Sequence, residues 1–466
     1  MSWLYDFFVG PLNTVAWIYI LLPCVFAGGL YFTIGTGAVQ FRRFGYAMKN
    51  TVGKMFKKQE AEKGAVTPLQ AVTTALAATV GTGNIVGTSQ AIALGGYGAI
   101  FWLWLAALLG MVIKFSEVTL SIKYRERDAK GDWVGGPMYY IKNGLGPQWK
   151  WLAVMFSVFA ILASFGIGNM SQANSIMDSV KGAILAFNPG MESTAAIEWG
   201  TGIFLAAVTA LVLFGGIKRI GSVTEKFVPL MSILYIIFTL IVIGGNLDGL
   251  GNAFKMIFVG AFNPQAVLGA GAGIALKNAL VWGLRRSAFS NEAGLGSAAI
   301  AHAAAQTEGP VQQGVFGIFE VFVDTIVVCT LTALTIICSG VEITFGEAPG
   351  SALITAAFAT VFGEKFASLF VAFALMMFAY STILGWSLYG TRCTQYLFGL
   401  KAAKIYQFIF IAVVIIGCVS PIAAVWNLAD TFNGLMAIPN FIALFLLSPV
   451  LFKTTKEFFS DKSKLK

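Results

Sequence analysis

Long apolar runs alternate with short polar ones along most of this chain, and the apolar runs set the first expectation. A helix needs about 20 mostly apolar residues to cross a bilayer core. Runs of that kind predict spans at Thr14–Ile34, Thr67–Leu94, Ile100–Ile122, Leu152–Ile176, Trp199–Phe214 and Phe227–Gly244. The second half adds Ala266–Leu284, Val315–Ile337, Phe366–Tyr389, Ala402–Val419 and Ala423–Leu451. The last run is too long for one plain span and is interrupted at Pro439-Asn440. It reads as one broken helix or two short ones, which makes eleven or twelve spans.

Composition supports a membrane setting. Of 466 residues, 57% are hydrophobic and 11% charged, against about 25% charged in soluble domains. Mean hydropathy is +0.77. So few charges cannot cover a water-exposed surface, and a soluble multidomain protein is excluded. The net charge of +9 comes from loops. With eleven spans and the N-terminus outside, 26 of the 31 Lys and Arg fall on the cytoplasmic side. The first loop holds Arg42, Arg43, Lys49, Lys54, Lys57, Lys58 and Lys63, and Lys453 to Lys466 supply more. Only Lys181, Lys255 and Lys365 lie outside, and Lys114 and Lys277 lie within spans. A twelfth crossing would place the basic tail outside, against the positive-inside rule. The expectation is therefore eleven spans in the cell (inner) membrane, N-terminus outside and C-terminus cytoplasmic.

The same pass excludes other classes. No zinc-finger spacing or basic helix suggests nucleic acid. The five cysteines form no C-x-x-C pair and His302 is the single histidine, so neither a disulfide framework nor a histidine-built metal site is expected. No basic n-region precedes the first apolar run, so no cleaved signal peptide is expected. H-E-x-x-H, G-x-S-x-G and Walker A sequences are absent, which argues against an enzyme or an ATP-driven pump.

Two spans carry glycine clusters unsuited to a plain helix. The second contains Gly81-Thr82-Gly83-Asn84, and the seventh contains Gly269 to Gly273. Glycine costs about 1 kcal/mol in a helix interior. The backbone groups it frees are tolerated at membrane depth only against protein or a water-filled cavity. Five spans run from the second to the sixth and five from the seventh to the eleventh. An odd number per unit makes the two units opposite in orientation, each opened by a broken helix, as in inverted-repeat transporters. The divisions are 1–64 (first helix and basic cytoplasmic loop), 65–247 (first repeat), 248–264 (extracellular connector), 265–453 (second repeat) and 454–466 (cytoplasmic tail).

Several runs are recognisable together: GTGNIVG (Gly81 to Gly87), GGYGAIFWLWLAALLG (Gly95 to Gly110), GDWVGGPMYYI (Gly131 to Ile141), FSNEAGLGSAAIAHAAA (Phe289 to Ala305) and WNLADTFNGLMAIPN (Trp426 to Asn440). In this order the chain closely resembles the sodium:alanine symporters, the alanine or glycine:cation symporter family. The resemblance implies an all-α leucine-transporter-like fold of the amino-acid/polyamine/organocation superfamily, with a 5+5 inverted repeat and one extra N-terminal helix. It also implies sodium- or proton-driven uptake of alanine, glycine or related small amino acids. In such proteins one sodium sits between the first break and hydroxyls of a later helix. The matching positions are the carbonyls of Ala77 and Val80, with Ser381 and Thr382. A second sodium, where present, uses the position of Asn84. Gln172 resembles the family's substrate-contacting glutamine.

An amino-acid zwitterion needs two opposite partners. Its carboxylate suits the half-helix N-terminus at Gly81, Thr82 and Gly83, with Asn84 adding hydrogen bonds. Thr79 lies at the end of the preceding half. In the fourth span, Phe165 and Gln172 bracket a polar segment, with interhelical bonding as the plainer role for Gln172. Thr382 and Trp386, four apart, share a face of the ninth; Trp386 either walls an alanine-sized pocket or simply packs. Gly271, Gly273 and Asn278 are the seventh span's contributors, their carbonyls facing the ammonium.

Charges inside spans are expensive and usually functional. Glu320 and Asp324 are i,i+4 neighbours, and Lys114, Glu117 and Lys277 are also intramembrane. They read as a relay or, preferably, as structural pairs, Lys277 with Glu320 or Lys114 with Glu117. Arg285, Arg286, Asn291 and Glu292 are read as an inner-side anchor and gate following the seventh span. Asp430 is assigned to an outer gate, and His302, without a visible partner, to structure. The whole predicts a secondary active transporter, importing alanine or glycine with sodium by alternating access. A proton-coupled symporter and an uncoupled facilitator or channel are the alternatives. Sodium is the coupling ion, lipid the surrounding, and neither a cofactor nor an obligate protein partner is implied.

The topology has a direct check. In a variant without native cysteines, one cysteine placed between Lys462 and Lys466 should resist an impermeant thiol reagent in intact cells. Ready labelling would mean twelve spans.

Overall fold

The computed structural model describes residues 8–55, 62, 64–191, 193–264 and 276–461. Helices dominate: α1 (Gly10–Gly35), α2 (Pro68–Thr79), α3 (Thr88–Gly95), α4 (Ala99–Tyr124), α5 (Pro147–Phe187), α6 (Ala195–Leu213) and α7 (Gly216–Gly245). The second half adds α8 (Leu276–Asn291), α9 (Ala298–His302), α10 (Pro310–Cys338), α11 (Ala352–Phe362), α12 (Glu364–Val419) and α13 (Ile422–Ser460). A two-stranded antiparallel ribbon, Glu126–Arg127 with Trp133–Val134, follows α4. Among the described residues, eight helices are long and apolar enough to cross a membrane. The short helices α2 and α8, of 12 and 16 residues, are not among them.

Local chemistry explains why α2 starts and stops. Thr67 caps it: its hydroxyl accepts the Gln70 N–H at 3.1 Å while Gln70 Oε1 accepts the Thr67 N–H at 3.3 Å, a capping box with Pro68 at the first turn. The helix ends where Val80 turns to ψ 89°. A π-helical turn, Gly83–Gly87, then leads into α3. Nearly every residue from Ala71 to Ala93 is buried, so this interrupted segment runs through the centre of the protein. By contrast α6 and α7 present Ile203, Phe204, Leu211 and Ile233 outward, each more than half exposed. Apolar faces of that kind are stable only against lipid.

Gly399, at φ 81°, divides α12 into two arms, which correspond to the spans expected at Phe366–Tyr389 and Ala402–Val419. The structure departs from the hydrophobic pattern at two places. Pro439 does not interrupt α13, which runs unbroken from Ile422 to Ser460; partners from other helices hold Asn440, as described below. The helix expected to end at Leu284 continues to Asn291, and the chain breaks after it. The Gly269 to Gly273 cluster lies outside the described residues.

Close backbone contacts at glycine carry this packing. A Cβ at Gly385 would lie 2.7 Å from Ala78 Cβ and 2.9 Å from its backbone N, so α12 touches α2 directly. Gly385→Ala should destabilise the detergent-solubilised protein by about 1–3 kcal/mol. Gly244→Ala in α7, where a Cβ would meet nothing within 4 Å, should be neutral or stabilising by up to about 1 kcal/mol. Thermal unfolding of the two variants against the parent measures the difference.

Candidate functional site

The first break is held by side chains from two other helices and by one of its own. Thr382 Oγ1, on α12, donates to the freed carbonyl of Ala77 at 3.0 Å, and also reaches the Phe378 carbonyl at 3.1 Å. Gln172 Oε1, on α5, accepts the Thr82 N–H at 3.2 Å, while its amide nitrogen donates to the Ile167 carbonyl at 2.9 Å. Asn84 Oδ1 accepts the Gly81 N–H at 2.8 Å. A Cβ on Gly81 would strike Thr382 Oγ1, so glycine is needed for this approach. Thr82 Oγ1 is buried with no hydrogen-bond partner.

A second break follows α8. Glu292 takes φ 57°, and Gly294 and Gly296 take φ 93° and 77°, before α9 begins at Ala298. Two charged residues one turn apart on α4 hold its backbone. Lys114 Nζ donates to the Asn291 carbonyl at 2.6 Å. Glu117 Oε1 accepts the Gly294 and Gly296 N–H groups at 3.0 and 3.1 Å. Asn440 completes the clamp, donating to Glu117 Oε1 at 2.7 Å and to the Gly294 carbonyl at 2.8 Å.

Asp324 joins the two breaks. Its Oδ1 accepts from Asn84 at 2.7 Å, and its Oδ2 accepts from Ser290 at 2.8 Å and Thr325 at 2.6 Å. The π-helical turn packs directly on α8, since a Cβ at Gly83 would lie 3.0 Å from Ser290 Cα and 3.2 Å from the Phe289 ring. Gly83, expected to bring backbone close to a ligand, lies here against α8. Beside this junction Trp386 is fully buried. Its ring lies against Gly168, where a Cβ has no room, and its Nε1 donates to Glu292 Oε1 at 2.6 Å.

The buried charges pair differently from expectation. Lys114 bonds Glu320 Oε1 at 3.0 Å, and His302 Nε2 meets Glu320 Oε2 at 3.1 Å. His302 Nδ1 meets Gln313 at 2.9 Å, so His302 has partners on both sides. Lys277 is exposed and takes no part. Arg286 and Glu292, read as lying beyond the helix on its inner side, are instead buried at the α8 end and the break. Arg286 pairs with Asp430 at 2.5 Å beneath Trp282, Phe289 and Trp426. Arg285 donates to Asn13 and lies over Trp17 and Trp282.

The predicted site residues thus divide. Ala77, Thr79, Val80, Gly81, Thr82, Gly83, Asn84, Gln172, Ser381, Thr382 and Trp386 are buried around the first break and its contacts. Thr79 Oγ1 and Ser381 Oγ, however, bond back to carbonyls of their own helices. Phe165 is set apart: it is half-buried against Tyr406 and Phe410. Asn278 lies 13 residues before Asn291, about 20 Å along the helix at 1.5 Å per residue, too far to serve the break. Gly271 and Gly273 lie outside the described residues. Phe289 and Ser290 were not singled out in the sequence, whereas Glu292 was read as part of an inner gate and Asp324 as part of a relay or structural pair. The sequence signal for the break is Asn291 to Ser297, where two glycines follow a buried polar pair.

Comparison with known proteins bears on the family and the fold. The sequence description of the sodium:alanine symporter family matches residues 1–466. The sodium/alanine symporter AgcS of Methanococcus maripaludis is 42% identical over 454 residues, covering 97% of this chain and 96% of that protein. The "Probable sodium/glutamine symporter GlnT" of Bacillus subtilis is 37% identical over 466 residues, covering 99% and 92%. The crystal structure of MhsT in complex with L-phenylalanine superposes with TM-score 0.59 at 15% identity, covering 85% of this chain and 99% of that one. This likeness shows a shared leucine-transporter-like fold.

The buried triad yields a stability test. Lys114→Met strands the Glu320 carboxylate inside the bundle and should destabilise the protein by about 3–5 kcal/mol. Adding Glu320→Leu should recover part of that loss. A double variant whose thermal unfolding shows the two losses simply added would mean the pair is not coupled.

Proposed function

This chain belongs to the sodium:alanine symporter family, and we propose that it imports small neutral amino acids, alanine and glycine foremost, together with sodium. It is a multi-pass membrane transporter and not an enzyme. The proposal extends to eleven spans with the N-terminus outside, and to two inverted five-helix repeats opened by the two breaks. The observation that carries it is the meeting of the Thr382 hydroxyl with the Ala77 carbonyl across the first break. A helix end with freed carbonyls, faced by a hydroxyl from a distant helix, offers the hard oxygen donors that suit sodium. Val80 and Ser381 stand beside that pair.

The substrate falls to the same junction. The unpartnered Thr82 hydroxyl and the start of the π-helical turn suit a carboxylate. The second break supplies the acceptors for an ammonium. Four buried carboxyl groups, Glu117, Glu292, Glu320 and Asp324, stand around one buried lysine and one histidine, a balance that favours entry of cations. Trp386 bounds the side-chain end, so alanine and glycine enter and leucine does not. Relatives bear names for alanine and glutamine, both neutral amino acids. The Arg286–Asp430 pair ties α8 to α13 and serves as the outer closure, which must part for loading.

Uptake of labelled alanine into proteoliposomes, with and without an inward sodium gradient, tests the reading. Gradient-dependent uptake supports it. Uptake driven by a proton gradient in sodium-free buffer would make the proton the coupling ion, and uptake indifferent to both would make the protein a facilitator. Thr382→Ala removes one proposed ion ligand and should raise the half-saturating sodium concentration about tenfold, equivalent to about 1.4 kcal/mol. An unchanged sodium dependence would place the ion elsewhere.

A further inference from the structure

Among the described residues, two that are not glycine adopt a left-handed backbone: Ala38, and Glu292 at φ 57°. Such a conformation suits glycine, and glycines supply it at Gly294 and Gly296 in the same break. Glu292 is also 1% exposed. A buried acidic side chain at a strained backbone position persists where the side chain has work that glycine cannot do. Here that work is visible. Oε2 accepts from Ser297 Oγ at 2.5 Å, and Oε1 accepts from Trp386 Nε1 at 2.6 Å. The carboxylate thus runs from the second break to the indole on α12.

We propose that Glu292 is a positioning residue that sets substrate size, by holding the Trp386 indole in the orientation that closes the side-chain end of the pocket. Both ends of the tether are fixed. Lys114 and Glu117 hold the backbone on either side of Glu292 through the Asn291 carbonyl and the Gly294 and Gly296 N–H groups. On the other side the indole is confined between Gly168 and the edge of Tyr389, at 5.4 Å between ring centroids. With the break clamped, rotation of the indole requires loss of its bond to Glu292. This inference rests on the functional reading above.

The test uses three variants of the full-length protein. Glu292→Gly removes the tether and relieves the backbone; Glu292→Ala removes the tether alone; Glu292→Gln keeps an acceptor. The first readout is the concentration of leucine that halves alanine uptake in proteoliposomes, relative to that of alanine itself. The second is the 19F resonance of Trp386 in protein labelled with 5-fluorotryptophan, identified by its loss in Trp386→Phe. In Glu292→Gly and Glu292→Ala the leucine-to-alanine ratio should fall at least tenfold and the Trp386 resonance should move. Glu292→Gln should restore both toward the parent. A resonance that stays put in Glu292→Gly overturns the tether. A resonance that moves while the ratio stays within twofold of the parent overturns the role in size selection. If Glu292→Ala does not fold, Glu292→Gly, whose residue suits φ 57°, carries both readouts. Failure of the functional reading appears in a different arm: parent protein that takes up no alanine overturns that reading, and the specificity role with it.

Discussion

Lipid offers no hydrogen bonds, and that constraint organises this protein. A helix interrupted at membrane depth exposes carbonyls and N–H groups that must find partners within the protein. Both breaks do so through side chains far away in sequence. The first draws on Thr382 and Gln172, and the second on Lys114, Glu117 and Asn440. Asp324 accepts from Asn84 in the first break and from Ser290 in the last turn of α8, just before the second, which couples the two segments. That linkage gives the proposed transport cycle its physical form: groups that hold the breaks are also those a cation or zwitterion would compete for.

The same accounting explains the density of buried charge. Lys114 meets a helix C-terminal carbonyl and Glu320, while Glu117, one turn on, meets two N–H groups. Each sign is placed against the end of the broken backbone it complements. Charges of this kind are structural before they are anything else, because they replace the hydrogen bonds an unbroken helix would have made with itself. Glu292 differs. Its side chain bonds Trp386 and the Ser297 hydroxyl instead of backbone groups of the break.

Within the same C-terminal turns of α8 the packing is also aromatic and cationic. Arg286 is enclosed by three rings and Asp430, and α1 joins the same region through Asn13 and Trp17, whose indole donates to the Asp430 carbonyl at 2.8 Å. The N-terminal helix α1 is thus built into the α8–α13 contact. An arginine in such surroundings has its charge met by one carboxylate and by ring faces, so parting this buried ion pair would leave both charges uncompensated unless water or another partner replaced it.

Much was determined by the sequence itself. Apolar runs of membrane length located most helices within a few residues, because hydrophobic thickness is a local requirement. The first break was legible because Gly81, Thr82, Gly83 and Asn84 lie between two apolar halves each too short to span. The motif series from Gly81 to Asn440 pointed to the family. The break at Glu292 to Ser297 was not anticipated: glycine content drew attention to Gly269 to Gly273, which lies outside the described residues. Glycine marks where a helix can be interrupted; partners decide where it is. Those partners, Lys114 and Glu117, lie 177 positions and more away, and no local pattern records them. The pairing of Lys114 with Glu320 instead of Glu117, and the partners of His302, were set likewise by which helices pack together. Tertiary structure decided these points because a buried charge takes the nearest complementary group in space, and distance along the chain gives no measure of that.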